Sequence, residues 1–558
     1  METTVAIAGG VGFFLLGMAV MTDGLKALAG SALRTVLAKA AATSLSGTFW
    51  GAIVTLLVQS SSATTMTTIG LVSAGLLTFP QGLSLVFGAN IGTTGTGWLV
   101  ALLGVRVSLT AYALPIVFAG ALLKLVGKGR WAAGGASIAG FALILVGLTT
   151  LQQGMGGLAE QLDPADLPAV LSGPGAPWWS GTLGLLVLVA TGIAMTAVMQ
   201  SSTAAITVSL SALHAGAIGL DQAVALVIGQ NIGTSTSSAM AAIGASNTAK
   251  RLAAAYIAFK VIAAVIFLVL FPVIIRLMIR ASDSVDPVTL VAAFHTAYNV
   301  VGVAILLPLI GPFTRTIERL VPDRGSPFTR YLDPAALAAS PIVAVEAARR
   351  TVAHVLATLC SQAGSPAREP VAAQSSEALH QVQAFLSKVT EPLPSDDERR
   401  WFIETVHALD HVARLTDTFR EGTKVDAPLD SPDEQRAVQL YRKAMQGAAE
   451  SAVLLEHATV QHPEGEHAAA NAPGEGKPAE SLERLERCVS ELASLNLRHR
   501  RTTLDSAASG RLTTGNALAS VDAVLLLDRR AHHAWRAAAY LAGTATATPG
   551  KSAPGDMP

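Results

Sequence analysis

Acidic side chains are missing from a long part of this chain, since none occurs between Gly24 and Ala159. Charged residues make up 14% of the 558 residues, whereas soluble proteins average about 25%. Hydrophobic residues reach 51%, so the first half is predicted to lie in a membrane. Charges become dense after about residue 313, which predicts a soluble second half.

Other absences exclude whole classes of function. The formal net charge is zero and the isoelectric point is about 7.2, so nucleic acid is not a predicted partner. The two cysteines, Cys360 and Cys488, are too few for a disulfide framework, and they predict no transition-metal site. No nucleotide-binding GxxxxGK[ST] motif and no nucleophile–base pair stands out, so an enzyme is not predicted. The N-terminus lacks a basic region and is predicted to be a retained transmembrane helix.

Two apolar stretches are interrupted by polar residues near their midpoints. The first, about 47–78, contains Gln59-Ser60-Ser61-Ser62, and the second, about 182–217, contains Gln200-Ser201-Ser202-Thr203. A membrane-crossing helix needs about 20 apolar residues, and the pieces on either side of the first run are shorter. Irregular backbone at membrane depth is tolerated only where protein or a cavity covers it. A re-entrant hairpin is therefore predicted in each stretch.

The interruptions belong to an internal repeat. Gln59 and Gln200 are 141 residues apart, as are Asn90 of GANIGTT and Asn231 of GQNIGTS. Residues 182–199 could nearly cross a membrane, so the second hairpin is predicted from the repeat. The predicted spans are about 5–25, 82–104, 109–127, 135–157, 222–245, 252–275 and 288–311. Three crossings in each copy would invert the second copy relative to the first and place a site between them.

The predicted fold is all-α and polytopic, with two inverted repeats and a cytoplasmic helical domain. Repeat 1 is predicted in 1–134, and the inverted repeat 2 with a final span in 135–315. With the N-terminus outside, most loop Lys and Arg residues fall inside, as expected for a bacterial cytoplasmic membrane. A periodicity of 3.6 residues predicts a bundle in 340–543, with helices at about 340–362, 372–391, 396–421, 431–460, 480–507 and 513–542. The tail 544–558 is predicted to be disordered.

The interrupted helices suggest a binding site for ions. A half-helix that begins at the break leaves amide N–H groups unpaired, with a partial positive charge. Ser and Thr cap such ends, so hydroxyls gather there. The preceding half-helix offers free carbonyl groups to a small cation. The alternative is that these hydroxyls only join helices to one another.

A second motif and two polar pairs lie in the apolar segments. Glycines in GxNIGT permit close backbone approach, so Asn90, Thr93, Asn231 and Thr234 are predicted to support the hairpins or to bind a cation. His295 and Asn299 share a helix face and are predicted to bridge helices, with substrate contact as the alternative. Lys260 either extends to the inner surface or faces the bundle interior as a functional charge.

QSSS and QSST combined with GxNIGT and FHTxYN resemble the motifs of the bacterial sodium/phosphate cotransporters related to the type II sodium–phosphate cotransporters. The resemblance covers roughly residues 1–315. It implies that phosphate and sodium bind Gln59, Ser60, Ser61, Ser62 and Thr64 together with Gln200, Ser201, Ser202 and Thr203. Tyr256 and Lys260 depart from the residues common in relatives, so the sodium stoichiometry stays open. The second half is similar to the PhoU-like helical domain through HALDHVARLTD (407–417) and the segment 520–538.

The function expected from these features is sodium-coupled symport of inorganic phosphate. Phosphate carries roughly −1.5 to −2 charges, and the motifs contain no Lys or Arg, so cations would have to accompany it. Carboxylates are absent from the motifs, which favours sodium over protons. A phosphate exporter and a membrane phosphate sensor are the alternatives. Sodium is expected as the coupling ion, with no other cofactor. A homodimer or a regulatory partner is expected to bind through the helical domain.

Overall fold

The computed structural model describes residues 2–29, 36, 43–104, 110–161, 164–170, 178–243, 247–322, 327–364, 368–393, 395–420, 431–457 and 476–544. Regular structure in these residues is helical throughout, and they contain no β-strand. The chain forms two compact units. One comprises Met1–Val72 and Leu77–Asp323, and the other Ser73–Leu76 and Arg324–Pro558.

The first unit is built from apolar helices. They are α1 (Glu2–Ala29), α2 (Ser44–Val58), α3 (Ser61–Ser73), α4 (Phe79–Leu99), α5 (Thr110–Val126), α6 (Arg130–Ala159), α7 (Trp178–Met199), α8 (Ser202–His214), α9 (Leu220–Gly233), α10 (Ser235–Ala241), α11 (Asn247–Ala281), α12 (Pro287–Leu306) and α13 (Ile310–Leu320). In the described part of the chain, six helices are long and apolar enough to cross a membrane, namely α1, α4, α6, α7, α11 and α12. The unit is therefore a polytopic membrane domain.

The predicted span at 222–245 is not one continuous helix, because the helix is interrupted at Thr234. Hydroxyl groups there bond to backbone carbonyls three residues earlier: Thr234 to Asn231 at 2.5 Å, and Ser235 to Ile232 at 2.7 Å. Such bonds compete with the regular helical ladder. The segment consequently divides into α9 and the short α10.

Helices α1 and α6 pack closely because glycines of each helix face the other helix. A Cβ atom on Gly10 would lie 2.5 Å from the Leu151 nitrogen, and one on Gly17 would lie 2.6 Å from the Ile144 nitrogen. As residue numbers rise along α1 they fall along α6, so the two helices run antiparallel. Small residues let helix backbones approach in this way in membranes, where van der Waals packing drives association.

The two interrupted segments each fold back on themselves. A Cβ on Gly88 would lie 2.0 Å from the Thr48 carbonyl oxygen, and one on Gly92 would lie 2.4 Å from that of Ala52, so α2 and α4 run parallel. Since α3 is the helix between them, it returns in the opposite direction. Gly229, which lies 141 residues after Gly88, approaches the Val189 oxygen in the same way. The chain thus folds back on itself in each of the two segments.

One side of α11 exposes large apolar side chains at helical spacing. Val265, Val269, Val273 and Leu277 are 54%, 73%, 56% and 58% exposed, respectively. A soluble protein would bury such a row or cover it with a partner. In a helix of 35 residues the row is a surface for lipid.

The second unit is a bundle of long amphipathic helices. After the short α14 (Pro334–Ala339) come α15 (Pro341–Ser361), α16 (Arg368–Leu386), α17 (Asp396–Arg420), α18 (Pro432–His457), α19 (Gly476–Ala508) and α20 (Thr514–Leu541). The six predicted helices agree with these bounds within a few residues. Their apolar faces form one core that contains Leu356, Val382, Val412, Leu440 and Val524. Residues 458–475, between α18 and α19, and the predicted tail from 545 lie outside the described residues.

Candidate functional site

Both hairpins turn at a glutamine in a left-handed backbone conformation. Gln59 has φ 57° and Gln200 has φ 51°, and they are the only described residues other than glycine with a positive φ. A left-handed conformation costs a side-chain-bearing residue about 1–2 kcal/mol, so the surrounding contacts must stabilise it. Each break ends one half-helix and starts the next, as the sequence predicted.

The two glutamine side chains make matching contacts. Gln59 Nε2 donates to the Leu56 oxygen at 2.5 Å, and its Oε1 accepts from Thr96 Oγ1 at 2.6 Å. Gln200 Nε2 donates to the Ala197 oxygen at 2.5 Å, and its Oε1 accepts from Ser237 Oγ at 3.1 Å. Each amide therefore occupies a free carbonyl of the first half-helix and fastens the break to a helix that follows it.

The next residue in each run caps the second half-helix. Ser60 Oγ accepts from the Ala63 nitrogen at 3.2 Å, and Ser201 Oγ accepts from the Ala204 nitrogen at 3.2 Å. This is the N-cap arrangement expected of serine at a helix start. The first-turn residues Ser61, Ser62, Ser202 and Thr203 are left at the positive ends of α3 and α8.

The two breaks line a single cavity of about 380 Å³. The two runs contribute Gln59, Ser60, Ser61 and Ser62 from one hairpin, and Gln200, Ser201, Ser202 and Thr203 from the other. Residues 141 positions apart in sequence thus meet at one site.

Several lining residues were not found from the sequence. Thr65, Thr196, Ser237, Ser238 and Tyr256 add hydroxyl groups to the wall. The sequence indicated two of them indirectly, because Ser237 lies just after GQNIGTS and Tyr256 lies one turn before Lys260. The repeat alone did not reveal which face of each helix points inward.

Thr64, which was predicted as a site residue, does not line this cavity. The residue is 1% exposed, and its hydroxyl accepts a 2.9 Å hydrogen bond from Thr55 Oγ1 inside the first hairpin. In the second hairpin, Thr196 corresponds to Thr55, but Ala205 occupies the place of Thr64. Thr196 Oγ1 is consequently buried without a hydrogen-bond partner, and Thr196 lines the cavity.

The charged residues at the cavity come from α1. Asp23 and Lys26 line it and form an ion pair of 3.6 Å, with side chains 78% and 42% exposed. Their charges offset each other, and the high exposure shows that the cavity opens towards this end of α1. The other lining residues are uncharged.

The asparagines of the two GxNIGT motifs lie in the protein interior outside this wall. Each donates to the carbonyl one turn earlier, Asn90 to Val86 and Asn231 to Val227, both at 3.0 Å. Tyr256 OH donates to Asn90 Oδ1 at 3.0 Å. Thr93 bonds to the Ala89 oxygen at 2.8 Å within its own helix. Thr234 of the second motif differs from these residues, because it lines the cavity.

Lys260, Asn299 and His295 form a buried cluster. Lys260 Nζ donates to Asn231 Oδ1 and to Asn299 Oδ1, both at 3.3 Å. Asn299 Nδ2 also donates to Asn231 Oδ1 at 3.3 Å, so this residue bridges α9, α11 and α12 as expected. Lys260 is 2% exposed, and it therefore faces the interior and does not extend to the surface. His295 is buried, and its Nδ1 makes no hydrogen bond.

The helical unit contains a polar cluster around Glu456. Burial by itself would raise the pKa of Glu456, but hydrogen bonds from His354, Tyr331 and Arg330 outweigh it and lower that pKa to about 2. In the described residues no group of three or more His, Cys, Asp or Glu side chains is arranged to hold a metal ion.

Comparison with known proteins identifies the family of the membrane unit. The sequence profile of the Na+/Pi-cotransporters matches residues 13–153 and 183–302. The uncharacterized protein YqeW of Bacillus subtilis is 31% identical over 312 residues, which cover 56% of this chain and 96% of YqeW. The chain belongs to the Na+/Pi-cotransporter family.

Two further relatives have names that concern phosphate. The putative inorganic phosphate export protein YjbB of Escherichia coli is 26% identical over 358 residues, which span 63% of each chain. The human sodium-dependent phosphate transport protein 2B is 46% identical over 61 residues, covering 11% of this chain and 9% of that protein. No solved structure matches this member of the Na+/Pi-cotransporter family.

Proposed function

We propose that this Na+/Pi-cotransporter family member is a sodium-coupled symporter of inorganic phosphate. The observation that carries the proposal is the meeting of Gln59–Ser62 and Gln200–Thr203 around one cavity. Two helix N-termini and their hydroxyl groups provide donors for an oxyanion. Free carbonyls and the Thr196 hydroxyl provide acceptors for a small cation.

The charge balance of the cavity supports the coupling to a cation. Phosphate carries roughly −1.5 to −2 charges at neutral pH, and Lys26, which lines the cavity, is already paired with Asp23. Partial helix charges offset only part of that charge, so cations that travel with phosphate would make its burial less costly. The name of the human relative, a sodium-dependent phosphate transport protein, supports sodium as that cation.

The proposed transport cycle rests on two inverted repeats. Its support is the antiparallel packing of α1 against α6, the first helices of the two copies, and the contacts that recur 141 residues later. Rocking of one copy against the other would expose the cavity alternately to each side. With the N-terminus outside a bacterial cytoplasmic membrane, the end of α1 near Asp23 and Lys26 is cytoplasmic, and the present state is open to the inside.

The test is uptake of labelled phosphate into liposomes that contain the purified full-length protein. A sodium gradient should drive accumulation, and replacement of sodium by choline should abolish it. Uptake that continues in choline, or that follows a proton gradient instead, would refute the coupling.

A phosphate exporter is the second candidate, and the name of the YjbB relatives favours it. The same liposomes distinguish the two candidates when they are loaded with phosphate. An exporter should release phosphate down its own gradient, or in exchange for protons, without any need for sodium. A symporter should release it only when sodium is present inside.

The PhoU-like helical domain is proposed to regulate transport in the cytoplasm, through a partner or a second copy of the chain. A chain that lacks residues 340–558 should then keep basal uptake and lose its regulation by phosphate supply. If the protein is instead a sensor, the full-length chain should bind phosphate in equilibrium dialysis and transport none.

A further inference from the structure

Lys260 places an ammonium group at the junction of three helices inside the membrane unit. Its Nζ donates to Asn231 Oδ1 on α9 and Asn299 Oδ1 on α12, each at 3.3 Å. The aromatic rings of Tyr256 and Phe259 lie with their centroids 5.7 Å from Nζ. Oxygen atoms of amides and the faces of aromatic rings are both groups that attract a cation.

The surroundings of Nζ consist of acceptor oxygens and ring faces, which suit a charged amine. Both bonded groups are acceptors, whereas the lone pair of a neutral amine would need a donor. Of the nearby amide groups, Asn231 Nδ2 donates to the Val227 oxygen, and Asn299 Nδ2 donates to the His295 oxygen and to Asn231 Oδ1. Among the described residues, no carboxylate lies within 4 Å of Nζ.

The corresponding asparagine in the first repeat has a different partner. Asn90 Oδ1 accepts from the neutral hydroxyl of Tyr256 at 3.0 Å. Its counterpart, Asn231 Oδ1, accepts from the Lys260 ammonium, one helical turn further along α11. The oxygen of Asn90 is thus bonded to a neutral hydroxyl, whereas that of Asn231 is bonded to the Lys260 ammonium and also to the amide of Asn299.

A buried ammonium without a counterion is costly in a membrane protein unless its charge has a use. Tyr256, on the same helix and one turn away, lines the cavity. An anion in that cavity would gain from the positive charge behind the wall, and the charge would gain from the anion. A co-transported cation stabilises a bound anion in the same way.

We infer that Lys260 is a tethered coupling cation, whose ammonium group, held by Asn231 and Asn299, takes the place of one sodium ion in the second repeat. The inference rests on the proposed sodium-coupled phosphate transport. Lys260 then determines the number of sodium ions transported per phosphate. The wild-type chain requires one sodium ion fewer per phosphate than a variant in which sodium can enter the place of the ammonium group.

Three substitutions separate this role from a purely structural one. Lys260→Ala and Lys260→Ser remove the ammonium and leave space that sodium can enter between the two asparagine oxygens. Lys260→Met removes the charge and fills the space. If Lys260 only packs the helices together, Met should be tolerated better than Ala. If Lys260 is a tethered cation, the order should reverse at high sodium, with phosphate uptake by the Met variant lower by at least about tenfold.

The number of coupled ions is measured in liposomes from the sodium gradient that balances a known phosphate gradient. The Ala and Ser variants should couple one more sodium ion per phosphate than the wild type, and methylammonium added to the Ala variant should restore the wild-type sodium requirement. An unchanged ratio in both variants would overturn the inference.

A variant that folds but does not transport still gives an answer through equilibrium binding of radioactive sodium to purified protein. The Ala variant should then bind one more sodium ion than the wild type and the Met variant, and equal binding in all three would refute the tethered cation. If the proposed function itself is wrong, the wild type should show no sodium-driven uptake, whatever the variants bind.

Discussion

Thr96 Oγ1 donates a 2.6 Å hydrogen bond to Gln59 Oε1, and this contact joins the first helix break to the helix that carries GANIGTT. Ser237 makes the equivalent bond to Gln200 Oε1 at 3.1 Å. The glutamine thus holds the break by its side chain while its own backbone adopts an unfavourable conformation. Both parts of this arrangement can be tested separately.

The backbone conformation of Gln59 predicts opposite behaviour for two small substitutions. Gln59→Gly and Gln59→Ala both lose the bond to Thr96, but only alanine keeps the cost of the left-handed conformation. We expect Gln59→Gly to be more stable than Gln59→Ala by about 1 kcal/mol. Thermal unfolding of the detergent-solubilised protein measures the difference. Equal stability of the two variants would contradict the left-handed turn.

The hydroxyl groups of Ser61 and Ser202 are expected to contact the transported ions. Ser61→Ala and Ser202→Ala should each lower phosphate uptake by about tenfold or more, because a lost hydrogen bond to a charged group is worth about 1.5–3 kcal/mol. Thr67→Ala is the matched control, since Thr67 lies on α3 and is not among the residues that line the cavity. Unimpaired flux in both serine variants, at normal expression, would refute the site.

The contact between α1 and α6 predicts a position-dependent effect of alanine. A Cβ at Gly17 would lie 2.6 Å from the Ile144 nitrogen, whereas one at Gly12 would meet no atom within 4 Å. Gly17→Ala should destabilise the membrane unit by about 1–3 kcal/mol. Gly12→Ala, on the same helix, should be neutral or raise stability by up to about 1 kcal/mol through helix propensity. Thermal unfolding of both variants would show whether the two helices meet at this face.

A pair of histidines is predicted to make the helical domain less stable in acid. His411 Nδ1 and His533 Nδ1 lie 3.1 Å apart. Burial, reinforced by the neighbouring His533, lowers the pKa of His411 to about 3, and burial together with His532 lowers that of His533 to about 4. In the unfolded chain both rings titrate near about 6.5. Below that pH the unfolded state binds more protons than the folded state, so the free energy of unfolding should fall as the pH drops from about 6.5 to about 4.

Hydrogen exchange of α17 and α20 in the full-length protein measures this loss, after correction for the intrinsic exchange rate. Protection should decrease between pH 7 and pH 5, and His533→Asn should weaken the dependence on pH. His457→Asn, at the exposed end of α18, serves as the control and should leave the dependence unchanged. Equal protection of the wild-type protein at pH 7 and pH 5 would show that protonation of the two rings does not destabilise the folded domain.

Local rules predicted the helices well but not the orientation of each side chain. The six helices of the soluble half were placed within a few residues because their apolar periodicity is determined by the sequence itself. Thr64 and Thr65 have similar chemistry, yet Thr64 pairs with Thr55 and Thr65 lines the cavity. Which neighbour faces inward depends on how α3 is rotated against α2, and a sequence of hydroxyl residues does not specify that rotation.

Two segments show where prediction reached its limit. The span expected at 222–245 divides at Thr234, because three successive hydroxyl residues bond to carbonyls of the preceding turn. The hydropathy of the segment carries no sign of this break. For Lys260, the sequence left two positions open, the surface or the interior. The structure decides for the interior, since Asn231 and Asn299 offer oxygen atoms that the chain brings together over 68 residues.

The sequence by itself determined the membrane domain, the internal repeat, the two helix breaks and the helical domain, because each follows from hydropathy, periodicity or capping within a short window. Only the tertiary structure decided that both breaks face one cavity and that Lys260 bonds to an asparagine from each of two other helices. These relations join residues far apart in the chain. They depend on the close approach of glycine-bearing helices, which no local pattern of polarity specifies.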